Sequence, residues 1–191
     1  MGDEGEAAEP GLLERRPVHQ GRLLRLSLDR VRFPDGSEGE LEMVRHPGAS
    51  AVLPVVGSLD DPDPEVLLVR QYRYASGGYL YEVPAGMPDE PGEPWDACAA
   101  RELEEETGAR PGTLEVMTRI YTTPGFCDEV IRLYVASELE DGEPGRDADE
   151  FMEVVRVPFA RAVEMVRSGE IVDCKSVAAI LYARCFVLDG A

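Results

Sequence analysis

Alternating apolar and polar positions mark two short β-stretches near the N-terminus, residues 23–28 and 40–44. They flank Pro34-Asp35-Gly36, a turn sequence suited to joining antiparallel strands. Residues 50–56 and 66–69 are apolar and rich in β-branched side chains, and predict neighbouring core strands across the Pro- and Asp-rich loop 60–64. Further strands are predicted at 80–83, 114–118, 130–136 and 151–157. Three helices are expected. The first spans residues 94–107, with Pro94 suited to the first helical position and Gly108 to a left-handed stop; the others cover 159–167, ending before Gly169, and 176–188. Residues 1–16 are rich in Gly, Glu and Pro without apolar periodicity and read as a mobile tail. The expected organisation is therefore a tail (1–16), a small N-terminal β-unit (17–47) and a main domain (48–191). Strands in the middle with helices inserted or appended predict the α/β (α+β) class, a sandwich.

A chain of 191 residues is about one domain long. With 43% hydrophobic and 30% charged residues it falls among ordinary globular proteins, and no apolar run approaches membrane-spanning length, so no membrane partner is expected. The acidic stretch 1–10 lacks the basic and apolar regions of a secretory signal, which makes the cytoplasm the expected address. Cys98, Cys127, Cys174 and Cys185 form no CxxC pair and no dense scaffold, and read as reduced thiols.

Charge changes the picture more. A formal net charge of −19, with Lys175 as the only lysine, argues against nucleic acid as a partner, because phosphate backbones are bound by clustered Lys and Arg. A protein this acidic that handles a phosphorylated ligand needs divalent cations or a few placed arginines to screen the repulsion.

Chemistry is concentrated in Gly86-Met-Pro-Asp-Glu-Pro-Gly-Glu93, seven further residues, and then Arg101-Glu-Leu-Glu-Glu-Glu-Thr-Gly-Ala109. On a helix Glu102, Glu105 and Glu106 stand at i, i+3 and i+4, so three carboxylates converge on one face. Like charges at that spacing repel by a few tenths of a kcal/mol per pair, roughly, so a cation is expected there. Hard divalent ions such as Mg²⁺ or Mn²⁺ prefer such oxygen ligands. A run of glutamates on a helix is most often only a solvated face. The surrounding pattern argues otherwise.

Preceded by Arg-Glu-Leu, closed by Thr-Gly-Ala and led by a glycine loop, the segment resembles the Nudix signature. It departs in one place: six residues, not five, separate Gly86 from Glu93. The resemblance extends from Gly21 to Leu188. Arg45-His-Pro-Gly-Ala49, Arg70-Gln-Tyr-Arg73, Tyr81-Glu-Val-Pro-Ala-Gly86 and Thr123-Pro-Gly-Phe-Cys-Asp-Glu129 are similar to segments of the ADP-ribose pyrophosphatase branch. Pro124 lies fifteen residues past Ala109, a distance associated in the family with ADP-ribose preference.

The resemblance implies an α/β/α sandwich with a mixed sheet. It implies Mg²⁺, with Mn²⁺ as an alternative, held by Glu102, Glu106, the Ala85 carbonyl and Glu105, the last as ligand, support or base. It also implies an acidic loop farther on, matched by Asp147-Ala-Asp-Glu150, with Glu150 as an added ligand and Asp147 or Asp149 as base. Arg45, Arg73, Glu82, Pro124 and Glu129 are the implied substrate contacts, while Arg101 reads as structural through Glu105 one turn on. The implied reaction is hydrolysis of the ADP-ribose diphosphate to AMP and ribose 5-phosphate by a homodimer whose β-units reach across the interface. Two rivals stand beside it: another nucleotide-sugar pyrophosphatase, and a catalytically silent ADP-ribose-binding regulatory domain. His19 and His46 are too few and too isolated for a histidine-built zinc site or a Ser/His/Asp arrangement.

Overall fold

The computed structural model describes residues 9–142, 145 and 151–188. They fall into two compact units. The first, the part of the chain up to Pro47 together with Tyr121–Glu129, holds an antiparallel sheet of β1 (Gly11–Gln20), β2 (Arg25–Arg32) and β3 (Glu38–Arg45) in the order β1-β2-β3. The turn between β2 and β3 forms where expected: Gly36 adopts φ 85°, and the Asp35 carboxylate accepts from the Ser37 backbone N–H at 2.9 Å.

Two sequence expectations are corrected in this unit. The anticipated tail through residue 16 is in part strand, because Gly11–Gln20 pairs along β2. All ten residues of β1 are exposed, so its side chains need no period-2 apolar pattern; the backbone ladder and the ion pair from Arg15 Nε to Asp29 at 3.1 Å hold it. The unit also takes in Tyr121–Glu129, a segment the boundary 48–191 assigned to the main domain. Val44 N–H donates to the Phe126 carbonyl at 2.7 Å, a contact between residues too distant in sequence to be anticipated from local pattern.

The second unit, Gly48–Ile120 with Val130 onward, is built on a seven-stranded mixed sheet. Its strands are β4 (Ala49–Val56), β5 (Glu65–Arg73), β6 (Gly78–Glu82), β7 (Ala85–Gly86), β9 (Thr113–Tyr121), β10 (Val130–Ser137) and β12 (Met152–Pro158). A short pair, β8 (Ala109–Arg110) with β11 (Glu140–Asp141), stands apart. The order is β12-β5-β4-β10-β9, with β6 added on β5 and β7 on β4; β4 and β10 run parallel and β4 and β5 antiparallel. Three helices complete it: α1 (Trp95–Thr107), α2 (Phe159–Ser168) and α3 (Cys174–Phe186).

Strand β4 shows why this is a three-layer sandwich. Its odd positions, Ala49, Ala51, Leu53 and Val55, pack with Phe159, Ala162 and Met165 of α2 and Ala179, Ile180 and Ala183 of α3. Its even position Val52 packs with Ala99 and Leu103 of α1. A strand buried on both faces reads as a nearly continuous apolar run, and Ala49–Val56 is apolar except for Ser50, whose hydroxyl donates to the Trp95 carbonyl.

Helix α1 begins one residue after the proline assigned to it and ends at Gly108, whose φ of 73° is the left-handed stop. Helix α3 starts at Cys174, two residues before the expected start, because Asp173 caps it by accepting from the Ser176 backbone N–H at 3.0 Å.

Candidate functional site

The carboxylate cluster is assembled by α1 and the short segment from β6 to β7. Ala85 and Gly86 pair with Ala51 and Ser50 of β4, which presses them against α1. The helix buries Ala99, Leu103 and Glu106 at i, i+4 and i+7, so Glu106 continues a core stripe and is only 3% exposed. Its Oε2 accepts from the Ala85 N–H at 3.2 Å. One turn earlier, Glu102 projects over Gly86, where a β-carbon would coincide with its carboxyl group. Only glycine permits that approach.

Arg101 organises the other side. Its Nε donates to Glu93 Oε1 at 3.1 Å, its Nη1 to Glu102 Oε1 at 2.8 Å and Glu105 Oε2 at 2.9 Å, and its Nη2 to the Met87 carbonyl at 2.9 Å. Partial burial works against its charge, but Glu93, Glu102 and Glu105 outweigh that and raise its affinity for the proton. The same guanidinium holds Glu93 below the usual carboxylate range. Glu93 Oε2 also accepts from the Asp89 N–H at 2.9 Å, so this side chain fastens the loop to the helix, and the extra loop residue is accommodated around that anchor.

Glu102 and Glu105 are therefore both drawn to Arg101 Nη1, while Glu106 turns to the Ala85 N–H. The three-carboxylate convergence expected from the spacing is not formed: among the described residues no group of three His, Cys, Asp or Glu side chains could hold a metal ion. The physical reason is that Arg101 neutralises Glu102 and Glu105, whereas Glu106 is sealed against the backbone of Ala85. Glu102, Glu106 and the adjoining backbone of Ala85 and Gly86 still make a hard-oxygen donor set. That set fits Mg²⁺, which keeps several waters and needs only one or two protein carboxylates when a phosphate shares the site.

A second charged group lies on the sheet. Arg73 and Gln71 alternate along β5 on the face that Val69 shares with its cross-strand partner Glu82. Arg73 donates from Nε and Nη2 to the two oxygens of Glu82 at 2.8 Å each, a bidentate pair, and Lys175 Nζ makes a close ion pair with Glu82 Oε2. Glu82 is 2% exposed. Burial pushes its carboxyl up, yet Arg73 and Lys175 outweigh this and leave it below the ordinary glutamate value. Arg73 is stabilised as a cation by Glu82 first and then by the fields of Glu106 and Asp173, which ties it electrostatically to the acidic cluster. Gln71 is also buried, and its Oε1 has no partner among the described residues.

Arg45, Pro124 and Glu129 belong to the first unit. Arg45 bridges Asp29 and Asp128, with Nη1 3.0 Å from Asp128 Oδ2. Pro124 sits in a turn whose Thr123 carbonyl accepts from the Cys127 N–H at 2.9 Å, and Glu129 Oε2 accepts from Thr122 Oγ1 at 2.8 Å. Asp147, Asp149 and Glu150 lie outside the described residues.

Residue-by-residue reading missed Lys175, Asp173 and Ser176. The signal emerges only once α3 starts at Cys174: a cation in the first turn of a helix faces the positive end of the macrodipole, so the sole lysine there calls for a carboxylate partner.

Residues 48–173 match the NUDIX domain. The chain is 36% identical over 179 residues to an ADP-ribose pyrophosphatase of Bacillus subtilis (strain 168), covering 93% of this chain and 94% of that one. It is 39% identical over 166 residues to an ADP-ribose pyrophosphatase of Mycobacterium tuberculosis, covering 86% and 78%. A GDP-mannose pyrophosphatase of Salmonella paratyphi B is 42% identical over 127 residues, covering 61% and 65%. Among solved structures, one described as an ADP compounds hydrolase superposes with a TM-score of 0.78 over 96% of both chains at 23% identity, a likeness of fold. With the family match spanning most of the chain and the signature helix set against Ala85 and Gly86, this protein belongs to the Nudix family.

Proposed function

We propose that the chain hydrolyses the diphosphate bond of ADP-ribose to AMP and ribose 5-phosphate, with a divalent cation, Mg²⁺ or Mn²⁺, as cofactor. The observation that supports this most directly is the Glu102 carboxyl group set over Gly86, one helical turn from the buried Glu106 whose carboxylate meets the Ala85 backbone. Glu102, Glu106 and the Ala85 carbonyl would hold the cation, with Glu150 from the acidic loop as an added ligand. Bound there, a divalent ion supplies charge neutralisation for the diphosphate and acidifies a coordinated water.

The protein's own groups do the rest. Arg73 presents a guanidinium to the diphosphate oxygens, and Arg45 is a second candidate grip. A carboxylate, Asp147, Asp149 or Glu105, accepts the proton as water oxygen bonds to phosphorus and the bridging oxygen leaves. Arg101 keeps Glu102 and the Glu93 loop in register. Glu82 and Glu129 complete the candidate substrate residues, the former by orienting Arg73. Pro124 is a further candidate substrate residue, its ring restricting the turn that carries it. We further propose that the protein works as a cytoplasmic homodimer.

A second reading has specific support: the similarity to a GDP-mannose pyrophosphatase favours other nucleotide-sugar diphosphates on the same chemistry. A product assay separates them. ADP-ribose, GDP-mannose, UDP-sugars, NADH and dinucleoside polyphosphates are each incubated with Mg²⁺, with Mn²⁺ and with chelator, and nucleotide products are resolved by ion exchange. AMP and ribose 5-phosphate formed fastest from ADP-ribose, and only with metal, is the expected result. Preference for a nucleotide sugar would replace the substrate, and binding of ADP-ribose without any turnover would turn the reading into a silent regulatory domain.

A further inference from the structure

We propose that Lys175 is a positioning residue for the substrate diphosphate: by sharing the Glu82 carboxylate with Arg73, it keeps the Arg73 guanidinium from being wholly neutralised and so available to phosphate. The inference rests on the proposed diphosphate chemistry.

Lys175 is the only lysine in the chain, and it is 7% exposed. Both facts run against the ordinary behaviour of lysine, which keeps its ammonium in water. Its place in the first turn of α3 also opposes the helix dipole. Two carboxylates offset these penalties: Glu82, in close contact, and Asp173, 3.0 Å from Nζ.

Such a lysine could simply pin α3 to the sheet, but that connection exists without it. Ser176 Oγ accepts from the Val83 N–H at 2.8 Å, and Asp173 accepts from both the backbone N–H and hydroxyl of Ser176, at 3.0 and 2.6 Å. The docking of α3 therefore runs through Ser176, which Asp173 orients as the helix cap, and through the packing of Ala179, Ile180 and Ala183 in the core. What Lys175 alone contributes is charge at Glu82.

Arg73, Glu82, Lys175 and Asp173 together are neutral. Taking Lys175 away leaves two carboxylates against one guanidinium, with the Glu82 charge undivided on Arg73. A diphosphate approaching the half-exposed Arg73 would then meet a local charge one unit more negative, and the buried Glu82 carboxylate that carries it is poorly screened by water. The acidic cluster adds to this, since Arg73 already lies in the field of Glu106. Lys175 thus acts on binding through Arg73, not on the chemical step.

The test is a double-mutant cycle on Lys175→Met and Arg73→Ala, with Lys175→Arg as the conservative control. Three quantities are read: KM and kcat for ADP-ribose, the Kd of inorganic pyrophosphate by calorimetry at fixed Mg²⁺, and the unfolding midpoint. Lys175→Met should raise KM and the pyrophosphate Kd about tenfold with kcat within about twofold, and Lys175→Arg should recover most of the loss. In the Arg73→Ala background, Lys175→Met should change neither quantity further, because the residue through which it acts is gone. Additive losses in the double variant, a Lys175→Met protein that no longer folds, or one with unchanged KM and pyrophosphate Kd would overturn the proposal. If the native protein binds pyrophosphate but does not cleave ADP-ribose, the substrate assignment fails while the cycle is still read on Kd. If the native protein binds no pyrophosphate, Arg73 has no diphosphate to grip and the proposal fails with it.

Discussion

The carboxyl group of Glu102 occupies the space that a β-carbon on Gly86 would fill. This makes Gly86→Ala a selective probe, because the obstructing atoms are the far end of a flexible side chain that can swing aside without unfolding the helix. We expect kcat/KM to fall by at least about tenfold, the scale of a displaced ligand or its support, with an unfolding temperature close to that of the native protein. Native activity in Gly86→Ala would show that Glu102 works equally well elsewhere and would remove it from the cation site.

Glu106 is buried beside the Ala85 N–H and shares its helix stripe with Glu102. Glu106→Gln keeps a carbonyl oxygen for that hydrogen bond and deletes one charge from a repelling set. Turnover should drop by at least about a hundredfold, as for loss of a metal ligand, while metal-free stability holds or rises slightly. Near-native hydrolysis would sink the assignment.

Acid should unfold the protein partly through Glu82. Its folded-state proton affinity lies below that of an unfolded glutamate, so its contribution to stability is present above the unfolded pKa of about 4.3 and is lost as pH falls through the folded value. Glu82→Gln should cost most stability near neutrality, where Arg73 and Lys175 are left without their carboxylate, and its melting curve should begin to approach the native one only below about pH 4.3, meeting it at pH values under the depressed folded value. An offset between the two that stays constant from pH 7 to acid would contradict this account.

Substrate preference should respond to Pro124 and Arg73 in different ways. Proline fixes its own φ and holds Thr123 extended, so the turn closed by Thr123 and Cys127 keeps one shape. We expect kcat/KM for ADP-ribose to exceed that for GDP-mannose by at least about tenfold, roughly 1.4 kcal/mol of differential transition-state binding. Pro124→Ala should narrow that ratio. Arg73→Ala should depress activity toward both substrates alike, since a phosphate contact carries no information about the base. A ratio unmoved by Pro124→Ala would take specificity away from this turn.

Local sequence was enough for whatever depends on neighbours along the chain. The core strand at residues 50–56 followed from its apolar, β-branched run, the end of α1 from Gly108, and the β2–β3 turn from Asp35-Gly36. Tertiary structure alone decided what depends on residues far apart. Strand β1 escaped because a fully exposed strand owes its stability to a partner's backbone, which leaves no periodic trace. Glu105 and Glu106 are adjacent in sequence, yet one turns to Arg101 and the other is sealed against Ala85, a difference set by which face of α1 meets β7. Likewise, Lys175 and Glu82 are 93 residues apart, and only the docking of α3 against β6 brings a buried ammonium to a buried carboxylate. A sequence lists the charges, whereas desolvation and Coulomb energy depend on distances that exist only after the sheet and helices have packed.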